Sequence, residues 1–304
     1  MKLDGIHHIS SITGNAPVNL DFYTRVLGMR LVAKTVNQDD PGVYHLFYGD
    51  YEGSPGFDMT FFEYPGARRG RGGAGMVYRI AFRVPSANSL DWWENRLRRE
   101  NVSASVVDGE LRFADPEGLE LALVVDSTGE EPLHLRHPEI PGEHDLIGFD
   151  HVIAYGNRLT GSGRVLTEVM GAEPTGERTW RLSGPSRSGW IRFDEPPEDH
   201  GISGAGTVHH VAWATEPEEH DAWIDRLAKG GVSSTPVIDR HYFRSIYFRE
   251  PGGVLYELAT KGPGFTVDDP LDQLGRRLLL PPRFESMREK IAARLTPLPD
   301  VARS

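Results

Sequence analysis

The chain of 304 residues contains no cysteine. That absence excludes disulfides, thiolate metal sites, iron–sulfur clusters and a cysteine nucleophile, so any bound metal must be held by nitrogen and oxygen. Basic residues are in deficit: 33 Lys and Arg against 44 Asp and Glu leave a net charge of -11, which argues against a polyanionic partner such as nucleic acid. No stretch approaches the roughly 18 apolar residues of a membrane span, and the N-terminus has no signal-peptide pattern. A cytoplasmic location without membrane contact is therefore expected. Nucleophile-elbow, P-loop and HExxH patterns are also missing. What remains, 38% hydrophobic and 25% charged residues, is the composition of a globular protein with an ample core.

The distinctive feature is a His-His pair that occurs twice, about two hundred residues apart. His7 and His8 lie in Gly5-Ile-His-His-Ile-Ser10, and His209 and His210 in Thr207-Val-His-His-Val-Ala-Trp213. A carboxylate follows at Glu257, inside the apolar run Val254-Leu-Tyr-Glu-Leu-Ala259. A buried carboxylate is costly without a partner. Two imidazoles and one carboxylate on rigid strands, with coordination positions left open, form the set that favours non-haem Fe(II) and oxygen chemistry.

A strand–helix–three-strand unit recurs four times. The first copy predicts a strand over 6–13, a helix capped near Asn15 with Leu20, Tyr23 and Leu27 on one face and Gly28 as its stop, and strands over 30–36, 44–48 and 59–64. The second opens at 77–82, with a helix capped near Ser86 that aligns Leu90, Trp93 and Leu97. The third opens at 149–155, and the fourth at 208–213 with a helix carrying Trp223 and Leu227. Phe113-Ala-Asp-Pro-Glu-Gly118 matches Phe248-Arg-Glu-Pro-Gly-Gly253, and Tyr78 and Arg79 stand where the fourth copy has its histidines. This predicts modules 1 and 2 over residues 1–126, a linker over 127–145, modules 3 and 4 over 146–262, and a tail over 263–304. Within the tail, Phe284, Met287, Ile291 and Leu295 at helical spacing predict a closing amphipathic helix.

Strict strand alternation points His7 and His209 away from the face of their neighbours, so a shared pocket requires a bulge or an approach from the rim. Gly70-Arg-Gly-Gly-Ala-Gly75 matches GxGxxG literally but precedes a strand instead of joining one to a helix, and reads as a flexible connector.

Together these motifs resemble the vicinal oxygen chelate superfamily, and more narrowly its hydroquinone ring-cleaving dioxygenases. The resemblance spans nearly the whole chain, including Leu20-Asp-Phe-Tyr23, Tyr44-His-Leu, Gly53-Ser-Pro-Gly56, Val208-His-His210, Pro251-Gly-Gly253, Gly264-Phe-Thr266 and Leu280-Pro-Pro282. It implies an α+β fold of four βαβββ modules pairing into two half-open barrels. It also implies Fe(II), or alternatively Mn(II), held by His8, His210 and Glu257, with His7, His209, Ser10, Arg240 and Tyr247 around the substrate. A small aromatic diol and O2 are then the partners, and a homo-oligomer is expected.

Two residues compete for ligand roles. Glu63 matches Glu257 by repeat logic, and as a fourth ligand it would suit a glyoxalase-like isomerase or lyase; its alternative is a solvent-facing strand end. His151 holds the ligand position of the third copy and competes with His8, although it lacks a companion histidine. A non-catalytic binding module is the remaining alternative.

Overall fold

The computed structural model describes residues 1–299. Module 1 comprises β1 (Ile6–Thr13), α1 (Ala16–Asp21), β2 (Arg30–Val36), β3 (Tyr44–Gly49) and β4 (Asp58–Glu63). Module 2 comprises β5 (Val77–Val84), α2 (Ala87–Arg99), β6 (Ala104–Val107), β7 (Glu110–Ala114) and β8 (Glu120–Val125). Module 3 has β9 (Phe149–Tyr155), α3 (Leu159–Arg164), β10 (Glu173–Gly176), β11 (Thr179–Ser183) and β12 (Ser188–Asp194). Module 4 has β13 (Thr207–Thr215), α4 (Ala222–Lys229), β14 (Ile238–Asp239), β15 (Arg244–Arg249) and β16 (Leu255–Thr260). The α+β repeat predicted from the sequence is thus present four times.

Helix starts follow local chemistry. The side chain of Asn15 accepts from Val18 N to cap α1, and Ser86 accepts from Ser89 N to cap α2, satisfying amides that the first turn leaves unpaired. Gly28 sits at φ 73° after the π-helical turn Phe22–Val26 that extends α1, a conformation glycine adopts without strain. The predicted inward faces are buried: Leu20, Tyr23 and Leu27, then Trp93 and Leu97 with Leu90 half-buried beside them, then Trp223 and Leu227. Truncating Trp93 or Trp223 to alanine would cost about 3–5 kcal/mol.

Strand pairing decides which modules meet. In every module the first strand pairs in parallel with the last. β1 then pairs antiparallel with β13, and β5 with β9. The result is two eight-stranded sheets, ordered β14-β15-β16-β13-β1-β4-β3-β2 and β10-β11-β12-β9-β5-β8-β7-β6. Modules 1 and 4 share one sheet and modules 2 and 3 the other, so each half of the chain contributes one module to each.

The glycine-rich connector is close-packed, contrary to the flexible linker expected from its composition. Arg69 and Arg71 form bridges to Ala205 and Ile202 in the connector leading to β13, and a Cβ on Gly73 would lie 2.2 Å from Gly201 N. Its glycines let two backbones touch where the chain crosses between sheets.

The tail also differs from a single helix. It runs as a 3-10 segment Pro282–Met287 into α5 (Arg288–Ala292). Ile291 and Leu295 are buried while Met287 is exposed. Pro281 and Pro282 preset the entry, and Phe284 packs half-buried against the core ahead of Ile291 and Leu295. Upstream, Phe265 packs on Phe47 and Tyr242 with ring centroids 5.2 and 4.9 Å apart. No helix among the described residues is long and apolar enough to cross a membrane.

His151 lies in the second sheet, away from the histidine pairs. Its Nδ1 is 2.7 Å from Asp150 and its Nε2 3.4 Å from Glu110. Burial works against its charge, but the two carboxylates outweigh that and raise its pKa to about 9. A raised histidine pKa stabilises the fold fully below the unfolded value near 6.5, and the contribution is lost as pH rises through about 9. His151→Gln is therefore expected to lower stability by on the order of 2 kcal/mol at pH 6. In denaturant titrations the gap from wild type should close between pH 7 and pH 10; a gap independent of pH would contradict this account.

Candidate metal centre and active site

The strands that carry the histidine pairs are adjacent, and their pairing is irregular at two places. Ile6 faces Trp213 while His8 faces Ala212, so β1 has an extra residue at His7. Ser10 faces His210 while Ser11 faces Val208, so β13 has an extra residue at His209. Each first histidine is thus the additional residue of a β-bulge. The bulges turn both imidazoles of a pair to the same side, which regular alternation forbids. The His7 and His8 rings meet edge to face at 84°, and those of His209 and His210 at 78°.

Protons can be assigned along the first pair. His7 Nε2 lies 3.0 Å from the carbonyl of Thr260, an acceptor only, so Nε2 carries the proton. Burial and the neighbouring His8 lower the His7 pKa to about 3, so the ring is neutral and Nδ1 is bare. His8 Nδ1, 3.0 Å away, must then donate, which leaves His8 Nε2 with a free lone pair. The second pair repeats the contact, with His210 Nδ1 at 2.8 Å from His209 Nδ1. Such outer partners fix the tautomer and orientation of a metal-binding imidazole.

The free edges converge. His8 Nε2 lies 3.3 Å from His210 Nε2, and Glu257 Oε2 lies 3.2 Å from the first and 2.8 Å from the second. All three residues are buried. Glu257 reaches the site from β16, opposite Ala212 on β13, and Ser245 Oγ donates to its other oxygen at 2.5 Å.

Among the described residues Oε2 is buried without a hydrogen-bond partner, an expensive condition for a carboxylate unless an ion fills the gap. Neighbouring ligand atoms around an octahedral ion at about 2.1 Å are about 3.0 Å apart. The three atoms already stand at that spacing, so the residues fit a divalent metal.

The centre opens on a cavity of about 310 Å³. Phe47, Phe62, Phe243 and Leu255 supply apolar walls, and His45, His209, Arg240 and Tyr247 supply polar groups. Arg240 Nε donates to the Tyr247 hydroxyl at 3.3 Å, and its other nitrogens pair with Asp39. Burial raises the Tyr247 pKa and keeps the phenol protonated. His209 keeps an exposed edge, while the surrounding wall and His210 lower its pKa to about 4.

Not every residue implicated by the sequence faces this space. His7 lies behind His8 with both nitrogens engaged, and Ser10 is fully buried against Thr60. Glu63 is buried, not solvent-facing, and its Oε1 accepts from Ala16 N at the start of α1. The register also corrects its equivalence: Thr60 pairs with Ser10 as Glu257 pairs with Ala212, so Thr60, three residues earlier, stands where the carboxylate would be. Sequence reasoning missed Ser245, Phe243 and His45. His45 alone had a signal, since it shares a strand face with Phe47 in a run that otherwise reads as core.

Glu257→Ala is expected to abolish stoichiometric metal binding, and His7→Phe to weaken it roughly 10–100-fold. Glu63→Ala should retain the metal and lose about 1 kcal/mol of stability with its helix cap. Metal content after dialysis against a chelator, read beside thermal melts, separates the three. Loss of metal from Glu63→Ala would restore the four-ligand alternative.

Comparison with known proteins places this geometry. Residues 5–123 and 148–258 match the model of the Glyoxalase/Bleomycin resistance protein/Dioxygenase superfamily. MhqA of Bacillus subtilis, provisionally named a ring-cleaving dioxygenase, is 38% identical over 98% of this chain and 100% of its own length. The chlorohydroquinone/hydroquinone 1,2-dioxygenase of Sphingobium indicum is 30% identical over 95% of each chain. A crystal structure of a provisionally named dioxygenase from Bacillus subtilis superposes with a TM-score of 0.90 at 37% identity, covering 98% of both chains. The chain belongs to the Glyoxalase/Bleomycin resistance protein/Dioxygenase superfamily.

Proposed function

We propose that this protein is an Fe(II)-dependent ring-cleaving dioxygenase that opens a hydroquinone-type aromatic diol with O2. The observation that carries the reading is the three-atom set of His8, His210 and Glu257, with Thr60 instead of a fourth carboxylate at the equivalent position. A three-residue face leaves room on one ion for both a substrate oxygen and O2. The similarity to dioxygenases over nearly the full length supports the same reading.

When bound, Fe(II) supplies a Lewis acid for the substrate oxygen and an electron path that relieves the spin barrier between the diol and O2. The remaining work falls to the chain. Phe47, Phe62 and Phe243 offer aromatic and apolar contact to a single ring and keep bulk water out. With His210 donating from Nδ1, neutral His209 holds its own proton at Nε2 and offers that N–H to an oxygen in the cavity. Tyr247 stands beside His210, ring centroids 5.6 Å apart, and its hydroxyl accepts from Arg240 while its own proton stays available. Donors fixed near the reacting oxygens stabilise charge that develops there without reorganising at the moment of reaction. His7 acts through His8, by holding its tautomer.

The glyoxalase-like reading requires Glu63 at the metal, and the Glu63–Ala16 contact argues against it.

Oxygen uptake by anaerobically iron-loaded protein should require both iron and a hydroquinone. Arg240→Leu and Tyr247→Phe are expected to keep the iron and to slow turnover by about 10²-fold. Stoichiometric iron with no uptake on hydroquinone, methylhydroquinone or catechol would overturn the assignment.

A further inference from the structure

The cavity contains a histidine that neither the ligand set nor its outer partners use. His45 on β3 lies against Phe47 and Phe62, with ring centroids 4.0 and 4.3 Å apart. Its Nε2 is 2.9 Å from Thr60 Oγ1, which is 2.6 Å from Ser10 Oγ. Ser10 and Thr60 are fully buried, and Ser10 Oγ has Thr60 as its hydrogen-bond partner. Thr60 occupies the position that Glu257 holds in the paired module. Where one module presents a carboxylate, the other presents a hydroxyl that holds a second-row imidazole.

Counting protons fixes the direction of this relay. If His45 donated from Nε2, either the Ser10 or the Thr60 hydroxyl proton would be left buried without an acceptor among the described residues, a costly state. The consistent arrangement runs the other way: Ser10 donates to Thr60, and Thr60 donates to His45 Nε2. The neutral ring then carries its proton on Nδ1, which has no hydrogen-bond partner among the described residues and belongs to a side chain lining the cavity. Burial and the nearby His8 hold the His45 pKa well below its usual value, in keeping with a neutral ring.

We propose that His45 is a substrate-binding residue whose Nδ1–H donates a hydrogen bond to the second hydroxyl of the diol, with Thr60 and Ser10 as positioning residues that set its tautomer. The proposal rests on the ring-cleaving reading and deepens it. One diol oxygen belongs at His8, His210 and Glu257, and the other needs a partner within the same aromatic-walled space. Phe47 and Phe62 flank the imidazole and, with the Thr60 contact at Nε2, hold the ring in place. This donor gives the site a reason to prefer a diol over a monophenol.

The test compares hydroquinone with phenol, which lacks the second hydroxyl, in anaerobic titrations of Fe(II)-loaded protein. Wild type should bind hydroquinone about tenfold more tightly than phenol. His45→Phe and Thr60→Val should each remove that preference by weakening hydroquinone alone, with iron content unchanged. His45→Gln, which keeps an N–H, should restore part of it. In the free wild-type protein, 15N NMR of His45 should show the Nδ1-protonated tautomer, a result independent of any variant's folding. An Nε2-protonated ring, or equal weakening of both ligands by His45→Phe, would overturn the proposal. Absent oxygen uptake with an intact hydroquinone preference would overturn the dioxygenase reading and leave the role of His45 standing.

Discussion

The antiparallel seam between β1 and β13 is the contact on which the site depends. It joins residues about two hundred positions apart and is the only route in this topology by which His8 and His210 become neighbours among the described residues. A regular seam would still fail, because alternation would turn one histidine of each pair into the opposite face. The two bulges solve this by spending one extra residue on each strand, at His7 and at His209. Loss of ladder regularity is exchanged for two imidazole pairs in which one ring orients the other. The ligands' orientation therefore comes from backbone irregularity, and the surrounding sheet must be rigid enough to hold it.

The second sheet shows the same backbone device without the metal chemistry. Its central seam, β5 with β9, carries register shifts between Val77 and Arg79 and between Ile80 and Phe82. At the corresponding places stand Arg79 and His151, and their partners are Glu110, Glu120 and Asp150. A guanidinium supplies internally the positive charge that an ion would supply in the first sheet. These carboxylates are paired by side chains, whereas Glu257 Oε2 is left without a hydrogen bond. The bulges are thus a property of the fold, and the donor set at them decides whether a metal is needed.

Much of this organisation was legible in the chain. Inward faces such as Trp93–Leu97 and Trp223–Leu227 followed from helical spacing, and the caps at Asn15 and Ser86 from side-chain chemistry. The repeated His-His pair with a later carboxylate pointed to the residues that converge. Glu63 was misread because matching copies by sequence alone slips when connecting loops differ in length. Strand register places Thr60, not Glu63, opposite Ser10. His45 was passed over because a lone histidine within Tyr44–Gly49 has the pattern of a core strand, and only the register between β3 and β4 shows that the Thr60 hydroxyl stands against it.

The sequence by itself determined the element types, the module repeat and the supply of nitrogen and oxygen ligands, because these depend on local periodicity and on which side chains are present. Only the tertiary structure decided that module 1 pairs with module 4, that both first histidines bulge, and that Thr60 fills the fourth position. Those outcomes depend on hydrogen bonds between strands far apart in the chain, and no local pattern encodes their register. Proton placement on His8 and His45 belongs to the same class, since each is settled by an acceptor or donor brought in from another strand.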